Sequence, residues 1–149
     1  MSNTPYYTKD RVERKWYVVD CTDQVLGRCA ASIAKLLIGK TEATYQPGQD
    51  TGGFVVAINT DKLRVTGTKL RNKIYYRHSG YPGGIKAATL QERMDKNSRE
   101  VLRDAVKGML PHNKVGARLI TKLKIYDGDQ HPHTAQVPTD ISAEQLATR

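Results

Sequence analysis

"WYVVDCTDQVLGRCAASIAKLLIGK", residues 16–40, decides the fold class. Its first five residues, WYVVD, are aromatic or β-branched apart from the closing aspartate, which is the composition of a strand. From Leu26 the small and apolar side chains recur at Cys29, Ala30, Ile33, Leu36 and Leu37. That spacing marks one face of a helix, with Thr22 or Asp23 available as N-cap and Gly39 as the stop. A strand is therefore followed by an amphipathic helix.

Outward from this stretch the alternation continues. Residues 1–14 are polar and charged without a period and read as an arm. "TYQPGQDTGG" (44–53) is turn material, "FVVAIN" (54–59) a buried strand and "LRVTG" (63–67) another. "KIYYRH" (73–78) reads as an edge strand or an extended loop entry; if extended, Tyr75 and Arg77 share one face, Tyr76 and His78 the other. Thr89 and Glu92 form a capping box that opens a helix running towards Lys96. Ser98 is placed to cap the next helix, whose stripe is Val101, Leu102, Ala105, Val106, Met109 and Leu110, ended by Pro111. Asn113 is placed to cap a third helix with Val115, Leu119 and Leu123 at every fourth position, and "LKIY" (123–126) closes as a short strand. Strands separated by helices predict an α/β domain with a mainly parallel sheet covered on both faces. The expected layout is an arm (1–14), one domain (15–138) and a tail (139–149).

At 149 residues the chain fits a single core. No apolar run approaches the ~20 residues of a membrane span, and the first residues lack a secretory pattern, so a soluble intracellular chain is expected. Cys21 and Cys29 are then expected as reduced, buried thiols, without the further ligands of a zinc site. Lys plus Arg number 24 against 15 Asp plus Glu, a net charge of +9, which favours a polyanionic partner. The surplus is concentrated. Residues 61–86 hold seven basic side chains and one acid; residues 105–126 hold five and none. "LQERMDKNSREVLRD" (90–104), by contrast, mixes signs as a solvated helix face does.

Several catalytic readings fail on physical grounds. "AKLLIGKT" (34–41) fits a relaxed phosphate-loop pattern but closes a helix instead of opening one, so its amides are used and the nearby dipole end is negative. His78 and Ser79 are neighbours on an extended segment and point to opposite faces, with no acid nearby to orient the histidine. "HPH" (131–133) lacks nearby Cys or Glu, leaving structural or RNA-contact roles for His131 and His133. The acids sit mostly in mixed-sign or tail segments, which offers metal-dependent chemistry no obvious carboxylate cluster. No cofactor or metal is expected.

What remains is a surface that grips. In "KIYYRHSGYPGG" (73–84) tyrosines lie among cations, the pairing used to stack unpaired bases and neutralise phosphates. Lys69, Arg71, Lys73, Tyr75, Arg77, His78, Ser79, Tyr81 and Lys86 are the candidates here. Pro82 and Gly83 suit the second and third positions of a type II turn, and Gly84 has no side chain to block a close backbone. A second surface is expected from Lys114, Arg118 and Lys122. Lys114, Arg118 and Lys122, four apart, would form a stripe beside the buried Val115 and Leu119.

"WYVVDCTDQVLGRCA", "IYYRHSGYPGG", "AVKGMLPHNKVGARLITKLKIY" and "HPHTAQVP" together resemble the bacterial-type large-subunit ribosomal protein L-thirteen family over roughly residues 15–138. Cys21 and Cys29 stand where that family usually has small or aliphatic residues, and residues 142–149 run past its common end. The resemblance implies a three-layer α/β/α domain with a four-stranded sheet and a structural constituent of the large ribosomal subunit. It implies binding to large-subunit ribosomal RNA during assembly, beside neighbouring ribosomal proteins and without catalysis. It also implies that the loop from Arg77 to Gly84, Gly83 and Gly84 included, and the segment from Lys107 to Lys124, including His112, Asn113 and Lys124, face the RNA. Bacterial cytoplasm and plastid stroma both fit. An RNA-processing enzyme and an off-ribosome regulator of messenger RNA are the alternatives.

Overall fold

The computed structural model describes Tyr7 and residues 11–141. Within them β1 (Trp16–Asp20), β2 (Phe54–Ile58), β5 (Leu123–Ile125) and β6 (Thr139–Asp140) form one sheet in the order β5-β2-β1-β6, every pair parallel. Val19, Val55 and Ala57 are completely buried on one face, and Val56 on the other. That is why these strands read as unbroken apolar runs and not as alternation.

Helix α1 (Leu26–Ile38) connects β1 to β2 and packs against α3 (Leu90–Met109); its Cys29, Ile33, Leu36 and Leu37 join Val19, Val55, Val101, Leu102 and Val106 in the core. Neither Thr22 nor Asp23 caps α1. Thr22 bonds back to Asp20, Asp23 takes a positive φ, and the first turn is held by the Leu26 amide donating to the Arg64 carbonyl. Gly39 ends the helix in the left-handed conformation, its N–H already given to Lys35 and Leu36. The amides of the phosphate-loop look-alike are thus engaged. The expected strand at 63–67 shrinks to a single bridge between Val25 and Arg64.

The other sheet face carries the stacked rings of Trp16 and Phe54 (4.5 Å), with His133 against Trp16 and donating to or accepting from the Tyr126 hydroxyl (3.0 Å). On this face the chain forms a layer between β5 and β6 that includes one 3₁₀ turn (Thr134–Gln136). His131 and His133 are bound into this layer, with the His131 ring accepting from the His133 amide. Cys21 and Cys29 are buried free thiols with sulfurs 3.4 Å apart. Their mutual hydrogen bond and burial push the Cys21 thiol far up, out of the reactive range.

Between β2 and α3 the chain leaves the sheet. It forms a short α2 (Lys69–Asn72) and an antiparallel hairpin of β3 (Ile74–His78) and β4 (Ile85–Thr89), which leads directly into α3. "KIYYRH" is therefore a strand of a separate two-stranded ribbon.

Candidate nucleic-acid interface

The hairpin is built by its turn. The Gly84 amide donates to the Tyr81 carbonyl (2.9 Å) and Gly83 has φ +71°, as a type II turn at Tyr81–Gly84 requires. The Ser79 amide donates to the Gly84 carbonyl (3.0 Å) and continues the ladder. A Cβ on Gly84 would lie 2.0 Å from the Ser79 hydroxyl and 2.8 Å from the Tyr81 carbonyl, so the loop closes over its own backbone. His78 Nδ1 accepts from the Gly80 amide (2.9 Å), which leaves Nε2 to carry the proton of the neutral ring and to donate outward. With Nδ1 occupied and no carboxylate beside it, His78 orients the loop and does not activate Ser79.

The register puts Arg77 directly opposite Lys86. Neither side chain has a carboxylate within ion-pair reach among the described residues, and none of residues 62–91 is acidic. Lys69, Arg71 and Lys73 are exposed on α2 and its C-cap, immediately before β3. A cleft of about 740 Å³ lies between hairpin and α3, lined by Arg77, Lys86, Arg93 and Lys96 and also by Glu100 and Asp104, both paired with Arg93.

Two expected assignments change. Tyr75 is half-buried; Lys73 Nζ stands 5.0 Å and the Arg93 guanidinium 4.4 Å from its ring centre, and it packs on the core. Its ring ties the hairpin to α3. Tyr76 (70% exposed) and Tyr81 (76%) are the open rings. Lys122, expected at the end of a basic stripe, is only 4% exposed. Helix α4 (Lys114–Leu119) stops after six residues and tightens into a 3₁₀ turn (Ile120–Lys122), which breaks the four-residue spacing and turns Lys122 inward. There its ammonium bonds Asp50 and donates to the Gly52 carbonyl (3.0 Å), while Arg14 holds the other Asp50 oxygen (3.3 Å). Burial drives the Lys122 pKa down, more than Asp50 holds it up.

The second surface is a corner. Asn113 caps α4 by accepting from the Gly116 amide (2.9 Å), and Gly116 is pressed on Pro111, whose carbonyl lies 1.8 Å from where a Cβ would stand. This sets Lys107, His112 and Asn113 around one small cleft, with Lys114 and Arg118 exposed one turn apart on α4. Lys124 stands elsewhere, half-buried on β5 in a cleft shared with Arg99 and Arg103 of α3. Arg99 is tied to Asp127 (2.9 Å). Among the described residues no three His, Cys, Asp or Glu side chains are placed to hold a metal ion, and no helix is long and apolar enough to cross a membrane.

Residues 14–132 match the family model described as Ribosomal protein L13. The chain belongs to the ribosomal protein L13 family. Relatives bearing the name large ribosomal subunit protein uL13 include that of Aquifex aeolicus, 52% identical over 91% of this chain and 94% of its own length. Those of Picosynechococcus (50% over 98% and 97%) and Syntrophotalea carbinolica (46% over 94% and 99%) are similar throughout. Membership in the L13 family makes this a ribosomal protein, a structural component and not an enzyme. Both basic surfaces, 69–86 and 107–124, fall inside the L13 match.

Sequence reading did not single out Tyr76, which is exposed, Arg93, which packs on Tyr75 and pairs with Asp104, or Arg103, which shares the cleft of Lys124. Period-two alternation pairs Tyr75 with Arg77 and Tyr76 with His78 but does not say which pair faces α3; that is set by packing more than a turn further along the chain.

Proposed function

We propose that this chain is a structural constituent of the large ribosomal subunit that binds and stabilises large-subunit ribosomal RNA during assembly. The hairpin 74–89 with α2, and the 107–118 corner, are its RNA-facing surfaces; Lys122 is excluded from them. Neighbouring large-subunit proteins are its other partners, and the ribosome is its place of work. The names of its relatives and the charge distribution support this reading.

The observation that carries it is Arg77 opposite Lys86 on an exposed ribbon. Like charges directly across a strand pair destabilise it, and no carboxylate of the described residues lies within ion-pair distance of either. Phosphates delivered from outside reverse the sign of that interaction. Each phosphate neutralised contributes about −0.7 to −0.9 to the log–log dependence of affinity on salt. An Arg77→Ala/Lys86→Ala variant should therefore bind a large-subunit RNA fragment with a slope shallower by about 1.5, enter subunits poorly and keep its melting temperature. An unchanged slope, or lost stability with normal incorporation, would assign both cations to the fold.

A further inference from the structure

Cys21 and Cys29 are brought together by two different elements. Cys21 continues the row of Tyr17 and Val19 on the α1-covered face of the sheet, and its amide extends the β1–β2 ladder by donating to the Ile58 carbonyl (3.1 Å). Cys29 begins the row of Ile33 and Leu36 on α1, its amide donating to the Val25 carbonyl (2.9 Å). Ladder and helix thus aim both side chains into one part of the core. The sulfurs lie 3.4 Å apart, and both residues are completely buried.

Two small apolar residues would fill the same space; two thiols at this distance add a redox couple. A disulfide needs the sulfurs at about 2.05 Å, an approach of roughly 1.4 Å shared by two side chains that each turn about one torsion. Backbone bonds already hold the two positions, so closing the bond asks little of the main chain.

We propose that Cys21 and Cys29 form a modification site, a pair that closes reversibly to a disulfide tying β1 to α1 when the chain meets a small-molecule disulfide. The Cys29 thiolate attacks one sulfur of the small disulfide and expels its other half, leaving a mixed disulfide. Cys21 then attacks the Cys29 sulfur and expels the second half. Two protein thiols are oxidised, one small disulfide is reduced to two thiols, and the two protons end on those departing thiols. Cys29 attacks first because the hydrogen bond from Cys21 holds its pKa below the ordinary thiol value against the effect of burial, whereas Cys21 is pushed up. A mixed disulfide does not fit a closed core, so exchange runs through an opened corner. The first turn of α1 has no side-chain cap, and Gly27 and Arg28 on it are exposed, which makes this end of the helix the one to fray. None of this depends on what the basic surfaces bind, since they stand on other elements.

The test brings the full chain to equilibrium with reduced and oxidised glutathione, from both directions, in native buffer and in concentrated urea. Free thiols are then alkylated and the intact chain is weighed. The chain has only these two cysteines, so a monomer that takes up neither label nor glutathione carries this bond. The equilibrium constant for closure should be about 10- to 100-fold larger in native buffer than in urea, where only the short loop between the cysteines holds the sulfurs near each other. The oxidised chain should also melt at a higher temperature than the reduced one. A constant no larger in native buffer than in urea, or an oxidised chain that melts lower, would overturn the proposal: the core would then accept the thiol pair and reject the bond.

Discussion

Lys122 occupies a position where a lysine is costly, and it is tolerated only because Asp50 and the Gly52 carbonyl meet its ammonium. Removing one partner of such a pair leaves the other charge unmatched. Asp50 keeps Arg14 and some solvent, so Lys122→Ala should cost about 2–4 kcal/mol, read as a lower urea midpoint at constant slope. Lys114→Ala, on the exposed side of α4, should stay within about 0.5 kcal/mol of the parent. Equal effects of the two would remove the distinction between interior and surface lysine. Sequence alone hides it, because the decisive partner of Lys122 is Asp50, a lone acid in the glycine-rich loop before β2, and no local periodicity connects them.

At the scale of elements, the readable parts are those in which one local rule governs the outcome. WYVVD and FVVAI are strands because both faces are covered, and the Thr89–Glu92 capping box forms as spelled out. The break after Lys96 is present as a kink at Asn97, but Asn97 accepts from the Glu100 amide, while the Ser98 hydroxyl bonds Thr60 and Asp127. One residue of error there comes from Ser98 having a better partner in the interior. β6, the two residues that directly follow Pro138, has no strand signature; its pairing with β1 is imposed by the crossing from β5. The α3–α4 corner depends on Gly116 touching Pro111. Gly116→Ala forces the two backbones apart and should cost about 1–3 kcal/mol in thermal or urea unfolding, with RNA affinity falling as Lys107 and His112 separate from Lys114 and Arg118. A variant as stable as the parent would mean that the corner yields freely.

For the molecule as a whole, pH acts through two carboxylates tied to β1. Burial pushes Asp20 up, but hydrogen bonds from Thr22 and Asn59 overcome it and hold the carboxyl below its ordinary 3.8. Glu42, bonded by the Tyr17 hydroxyl (2.8 Å) and by Lys15, lies below its ordinary 4.5. A carboxyl with a depressed folded-state pKa contributes stability in full above its unfolded value and loses it as pH falls through the folded one. Melting temperature should therefore drop below about pH 4.5, steepened by self-repulsion of a chain already at +9, and Glu42→Gln should make the drop shallower. A melting temperature flat from pH 6 to 3 would count against both bonds.

The order β5-β2-β1-β6 also fixes a timetable. Tyr17 and Val18 leave a translating ribosome more than a hundred residues before Thr139 and Asp140, which among the described residues are what closes one side of their strand. Until synthesis has passed that point, the nascent polypeptide carries an open parallel edge, available to other growing chains. A hundred and more residues of waiting make β6, the shortest strand of the sheet, the latch that ends its exposure to misassociation.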